Sequence, residues 1–165
     1  MRRRILVISL SAVAVGAALV GCSDSDDSGP VPSTTTMPST VPTAGPVLTT
    51  GESSIGQIVV NVDNMTVYAY DRDEPGTNAS ACDAVCLQMW PPVTTDESRP
   101  EIAGVSGVIG TIPGPQGGKQ VTVNGMPLYL FAGDPRPGSV AGQGMDNLWW
   151  ALNPAGEKIT DAPGG

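Results

Sequence analysis

Val62-Asp63-Asn64-Met65-Thr66-Val67-Tyr68-Ala69-Tyr70 returns sixty-one positions later as Val123-Asn124-Gly125-Met126-Pro127-Leu128-Tyr129-Leu130-Phe131, and the match runs on to Asp73 against Asp134. No other feature constrains the fold as much. Each copy reads as a β-hairpin: Ile58, Val60 and Val62 alternate with Val59 and Asn61, and Thr66, Tyr68 and Tyr70 share a face opposite Val67, Ala69 and Asp71. Asp63-Asn64 predicts a two-residue turn. Asn124-Gly125 is the stronger signal, because both residues tolerate the positive φ of a type I′ turn. Pro127 lacks an N–H, so its strand is expected to begin at an edge or a non-bonded site. A lone hairpin is marginal in water, so two related hairpins should pack their equivalent faces together.

Further short strands are predicted over residues 108–112, 148–152 and 158–160, with Asn153-Pro154-Ala155-Gly156 turning the last pair. Only residues 79–89 read as a helix, one carrying Cys82-x-x-x-Cys86. With 21 Gly, 16 Pro and 15% charged residues, against about 25% charged in ordinary domains, a helical bundle or coiled coil is excluded. The expected fold is mainly β: two related hairpin repeats packed as a small antiparallel sandwich or barrel-like domain.

The N-terminus is an address. Arg2, Arg3 and Arg4 precede an apolar run from Ile5 to Val20, shorter than the roughly 20 residues of a permanent membrane helix. Basic start, apolar middle and small residues make residues 1–21 a signal peptide. Its end, Leu19-Val20-Gly21-Cys22, resembles the lipobox of bacterial lipoproteins, which implies cleavage before Cys22 and acylation of its thiol and new amino group. Residues 22–50 follow as a disordered tether rich in Ser, Thr and Pro, with too little apolar surface to offset the entropy of ordering. Extended at about 3.1 Å per residue, it could reach about 85 Å. Residues 51–165 form the domain.

Loss of Arg2, Arg3 and Arg4 with the signal moves the formal net charge from −8 to −11, and residues 51–165 alone carry five basic and thirteen acidic residues. Nucleic acid is thereby excluded as a partner, since phosphate contacts need a basic face. The chain holds no histidine, which removes the commonest general base and metal ligand together.

The order of motifs resembles the secreted-repeat lipoproteins with the Tyr-x-aromatic-x-x-Asp motif. Val67-Tyr68-Ala69-Tyr70-Asp71-Arg72-Asp73, Cys82, Cys86 and Trp90-Pro91-Pro92 match one repeat. Gln120 to Gly125, Pro127 to Asp134, Pro137-Gly138, Gly142-Gln143-Gly144 and Trp149-Trp150 match the next. The resemblance implies an exported tandem-repeat lipoprotein of unestablished molecular function.

Several residues are candidates for chemistry. Cys82 and Cys86, two thiols close in sequence in an oxidising compartment, point to a disulfide, with redox-active thiols or metal ligation as alternatives. Trp90 is expected to pack against the bridge. Tyr68, Tyr70, Tyr129 and Phe131 read as a shared core between the repeats or as an aromatic groove for a ligand. Asp73 and Asp134 stand just beyond equivalent strands, where Asp accepts backbone N–H bonds and fixes a turn. The cluster Asp71, Asp73, Glu74 and Gly76 lacks the ligand pattern of an EF-hand and leaves only an irregular cation site. Met65, Met89, Met126 and Met145 offer thioethers for Cu(I) or simply core filling. A carboxylate pair such as Asp96 and Glu97 could do acid–base work, but adjacent strand residues point to opposite faces. Gly104, Gly107, Gly110, Gly114, Gly117 and Gly118 lack the spacing of a phosphate-binding loop and read as turns and loops.

The reading that follows is a lipid-anchored extracytoplasmic lipoprotein, held at the bacterial cell membrane by Cys22, acting as a non-catalytic binding or structural module. It takes no metal or cofactor, and its partners are the membrane and an envelope protein or small ligand. The alternative is a redox or metal-handling lipoprotein using Cys82 and Cys86 or the methionines.

Overall fold

The computed structural model describes residues 45–161; the signal, Cys22 and the tether up to residue 44 lie outside the described residues. β1 (Leu48–Ser53) runs antiparallel to β2 (Gly56–Asn61) along its whole length. β3 (Tyr68–Tyr70) pairs with β8 (Trp149–Ala151). A third sheet places β6 (Lys119–Val123) between β4 (Thr94–Thr95) and β5 (Ile109–Pro113), with β7 (Met126–Pro127) folded back on β6. Every strand pair is antiparallel. The fold is mainly β and built from two repeats, and no barrel closes among the described residues.

The second hairpin forms as its Asn-Gly predicts. Asn124 and Gly125 sit at φ +52° and +80°, the paired positive values of a type I′ turn, so Val123 faces Met126. Pro127 stands opposite Thr122, and the ladder resumes where Leu128 N–H donates to Val121 C=O at 3.0 Å. The missing proline donor therefore falls where no bond is needed.

The first hairpin is one residue longer. Asn61 N–H donates to Met65 C=O at 3.0 Å, enclosing Val62, Asp63 and Asn64, of which Asn64 has φ +59°. A three-residue loop ending in a left-handed residue thus replaces the two-residue turn expected at Asp63-Asn64. Asn61 Oδ1 holds it by accepting the N–H groups of Asp63 and Met65 at 3.0 and 2.9 Å. Val62 is consequently extruded into the turn and 61% exposed, while Val123, its counterpart by sequence, is fully buried. The main partner of β2 is also not the strand that follows it: beyond one bridge between Val60 and Thr66, β2 gives its ladder to β1. Residues 48–50, expected as tether, are the first half of β1, with Leu48 wholly buried.

The helix expected over residues 79–89 shrinks to α1 (Cys86–Met89). Side chains claim the backbone ahead of it. Ala81 N–H donates to Asp73 Oδ1 and Cys82 N–H to Ser80 Oγ, while Asp83 Oδ1 accepts from Val85 and Cys86 and starts the turn. Cys82 is therefore outside the helix and only Cys86 begins it. Residues 158–160 contribute a single bridge, Lys158 with Leu152, instead of a strand. The turn before them is as expected, Gly156 N–H donating to Asn153 C=O at 2.8 Å.

Alternation along the strands serves two cores. Val59, Val67, Ala69, Val121, Val123, Leu128 and Leu152 pack on one face, while Ile58, Val60, Tyr68, Tyr70, Tyr129 and Ala151 pack on the other. Both faces of the central strands are buried, which is why they read as nearly continuous apolar runs.

Candidate functional site

The two motif tyrosines meet at the centre of the domain. Tyr68 N–H donates to Tyr129 C=O at 2.8 Å, and Tyr129 N–H returns the bond to Tyr68 C=O at 3.0 Å. Equivalent residues that exchange both backbone bonds lie about a local two-fold axis, and the side chains obey the same symmetry. Tyr68 O–H donates to Asp134 Oδ2 at 2.9 Å, and Tyr129 O–H donates to Asp73 Oδ2 at 2.8 Å. Each motif tyrosine is thus bonded to the aspartate of the other repeat.

The second oxygen of each carboxylate fixes its own loop. Asp73 Oδ1 accepts from Ala81 N–H at 2.6 Å, and Asp134 Oδ1 from Ala141 N–H at 2.9 Å. The hydroxyls gain local partners too: Ser80 Oγ lies 2.6 Å from the Tyr129 oxygen, and Gly142 N–H donates to the Tyr68 oxygen at 3.3 Å. Burial pushes both carboxyls above the usual carboxylate range, opposed by the N–H and phenol donors that favour the charged form. Burial, with the neighbouring carboxylate, also lifts both phenols well above the ordinary tyrosine value. These are tyrosines held protonated as donors.

Around this crossing the aromatics form a ladder. Trp90 and Trp149 stack at 3.7 Å between ring centroids and 1° between planes. Tyr70 stacks on Trp149 at 4.1 Å, and Phe131 lies on Trp90 at 4.5 Å. The order Tyr70, Trp149, Trp90, Phe131 is therefore three stacked rings with Phe131 tilted by 33° on Trp90, and each repeat contributes its tryptophan next to the other repeat's motif aromatic. Tyr68 meets Trp90 edge-on at 5.5 Å and Tyr129 meets Trp149 edge-on at 5.3 Å. Six of the chain's seven aromatic side chains share this cluster.

Cys82 and Cys86 are bridged, with Cα atoms 5.3 Å apart, and both belong to the cluster that contains Trp90. The second repeat has no such bridge. There Gly142 follows Ala141 as Cys82 follows Ala81, and a Cβ on Gly142 would come within 2.8 Å of the Trp90 ring and 3.1 Å of Tyr68. The bridge side opens onto a cleft of about 490 Å³ lined by Cys86, Val85, Met89 and Leu148, by Tyr70, Trp90 and Trp149, and by the charged Arg72 and Asp146.

The remaining candidates do not converge. Asp73 turns inward to Tyr129, whereas Asp71 takes Lys158 Nζ at 2.6 Å and the Trp150 indole N–H at 2.8 Å. Among the described residues no three of Cys, Asp and Glu gather as a metal site. Met126 belongs to one core cluster, Met145 packs on the other and Met89 is exposed. Asp96 lines a separate cleft of about 520 Å³ with Pro92, Thr94, Thr95, Pro115 and Gly118, which Glu97 does not share.

Sequence reasoning places Trp149 and Gly142 among the family-matching positions without assigning them a role, and does not single out Ser80. Trp149 had a signal: it lies fifteen residues after Asp134 as Trp90 lies seventeen after Asp73. Ser80 and Gly142 had none, because their partners come from the opposite repeat.

A family model described as a secreted repeat of unknown function matches residues 49–94 and again residues 110–153. The two matches cover more than half of the chain and coincide with the two halves of the crossing, and the chain belongs to this family. No curated protein and no solved structure matches it.

Proposed function

We propose, with membership of a secreted-repeat family as the premise, that this protein is a lipid-anchored, non-catalytic module of the bacterial cell envelope. Cys22 carries the acyl chains, and the Ser/Thr/Pro-rich segment holds the domain off the membrane to meet an envelope protein or small ligand. One observation carries the non-catalytic reading. The groups best suited to chemistry, Tyr68, Tyr129, Asp73 and Asp134, are buried and spend their hydrogen-bonding capacity on one another and on the backbone. The clefts of about 490 and 520 Å³ are lined by other residues. A catalytic acid or base must reach a substrate atom directly or through one water, and these four line neither of the two clefts.

Fatty-acid labelling and fractionation of cells test the anchor. Wild-type chain should take up label and sediment with membranes, and Cys22→Ser should lose both properties. An unlabelled wild-type chain that stays with membranes would sink the anchor.

A redox role draws on a different observation, that Cys86 of the bridge borders the open cleft. Thiol titration of the exported protein separates the two roles. A pair that stays bridged at the poise of the envelope fits the module, and a pair cycling between thiol and disulfide there fits redox work.

A further inference from the structure

β1 and β5 are equivalent strands of the two repeats, Thr50 standing opposite Val59 as Thr111 stands opposite Val121. Their outer edges differ. That of β1 is covered: Ile102 bridges Leu48, Val47 N–H donates to Glu101 C=O at 2.8 Å, and Ala103 N–H donates to Leu48 C=O at 3.0 Å. Gly104 then lies against Thr50, and Gly138 against the Glu52 carbonyl. β5 has no such cover among the described residues. Asn124 N–H donates to Val108 C=O at 2.7 Å and Gly114 N–H to Gly118 C=O at 2.8 Å. Residues 108, 110, 112 and 114 therefore face β6, and the peptide groups of Ile109, Thr111 and Pro113 point away from it. No hydrogen bond within the described residues engages the backbone of Ile109 or Thr111.

The local sequence does not guard this edge. Residues 102–118 contain no Asp, Glu, Lys or Arg, although the domain around them has a net charge of −8. Exposed edges ordinarily carry charges, bulges or a covering segment, because a bare row of N–H and C=O groups templates another strand. Pro113 ends the row on one side, and Val108 beside it is 76% exposed.

We propose that β5 is a self-association edge that pairs antiparallel with β5 of a second copy about a two-fold axis through Gly110. This register sets Ile109 opposite Thr111 of the second copy, and the reverse, giving four N–H···O=C bonds. Every outward donor of the strand is used. Centring the axis on Thr111 would also make four bonds, but it would set the Ile109 carbonyl against the ring of Pro113, which has no N–H, whereas the Gly110 register leaves Pro113 outside the paired residues. Gly110 meets its own counterpart at a non-bonded site, where Cα atoms approach to about 4.5 Å, with no side chain between the strands. Such a contact is isologous and closes at the dimer. The uncharged strip is also where two acidic copies repel each other least.

Sedimentation equilibrium of the exported full chain tests this, with Cys22→Ser so that neither an acyl chain nor a free thiol joins copies. The expected result is a reversible monomer–dimer equilibrium tighter than about 1 mM, weakened at least about tenfold by either of two variants. Thr111→Pro deletes one outward N–H and none of the bonds to β6, and Val108→Glu adds a charge at an exposed position beside the edge. Should Thr111→Pro fail to fold, Val108→Glu decides alone. A chain that stays monomeric at about 1 mM, an open-ended assembly, or a dimer that survives either folded variant overturns the proposal.

Discussion

The exchange of partners between the repeats makes a quantitative prediction about Tyr68→Phe. Tyr68 is fully buried, and phenylalanine keeps the ring, so no cavity forms. What is lost is the donor to Asp134 Oδ2 and the acceptor for Gly142 N–H. Asp134 keeps only its bond from Ala141. A hydrogen bond to a charged group contributes about 1.5–3 kcal/mol net, and an orphaned buried group costs about 1–3 kcal/mol. Counting these as one loss, since both describe the same unpaired carboxylate, gives about 2–3 kcal/mol. Tyr129→Phe should cost the same within about 1 kcal/mol, because its bond to Asp73 is the two-fold equivalent. Typical domains are stable by about 5–15 kcal/mol, so both variants should fold, and urea unfolding can resolve the difference.

Double-mutant cycles distinguish the crossed arrangement from an uncrossed one. Tyr68→Phe combined with Asp134→Ala, and Tyr129→Phe combined with Asp73→Ala, should each show a coupling of about 1–3 kcal/mol. The same-repeat pairs, Tyr68 with Asp73 and Tyr129 with Asp134, should add within about 0.5 kcal/mol. Coupling within repeats and additivity between them would refute the crossing, and with it the account of why the tyrosine and aspartate recur together.

Three other expectations rest on the same core. The stacked Trp90 and Trp149 should give an exciton couplet in circular dichroism that Trp90→Phe or Trp149→Phe abolishes and Trp150→Phe leaves in place; survival of the couplet in either of the first two contradicts the stack. Gly142→Ala should destabilise the domain by about 1–3 kcal/mol, because its Cβ would press on Trp90 and Tyr68; unchanged urea midpoints would show that the loop yields. Burial raises Asp73 and Asp134, so the folded state holds their protons more tightly than the unfolded chain, whose Asp titrates near about 3.9. Their contribution to stability therefore grows as pH falls from neutral toward that value. Melting temperatures of wild type and Asp73→Asn/Asp134→Asn should differ in this slope, and a wild type that loses relative stability on acidification counts against it.

What was legible in the sequence was local or periodic. Asn124-Gly125 demands its turn through backbone sterics alone, and the alternation of Tyr68 and Tyr70 with Val67 and Ala69 places two faces without reference to the rest of the chain. The extra residue in the first hairpin was hidden because Val62 aligns with Val123 by type, and only the bond from Asn61 to Met65 shows that it is looped out. The helix was overread because Ser80, Asp83 and the distant Asp73 take N–H groups that helical geometry would otherwise use. Residues 48–50 looked like tether because one leucine among threonines carries no periodicity, and the burial of Leu48 is a property of the tertiary fold. The crossing of Tyr68 to Asp134 was beyond local reasoning altogether, since a duplicated motif is equally compatible with bonds inside each repeat.

The two-fold relation also separates residues that maintain the fold from those free to do something else. Whatever obeys the symmetry is accounted for by packing: the tyrosine–aspartate bonds, the stacked tryptophans and the N–H groups of Ala81 and Ala141 all recur. Departures need another reason. The first repeat shapes the segment before its tryptophan with a disulfide, whereas the second uses Gly144, Asp146 and Asn147 at positive φ, so a bridge is not what the architecture requires at that place. Among the described residues the first repeat has its edge strand covered and the second does not. Selection for folding alone would act on both copies of a duplicated unit alike. The cleft beside Cys86 and the bare edge of β5 are where the copies diverge, and there the specific work of this chain, as distinct from that of its fold, should be sought.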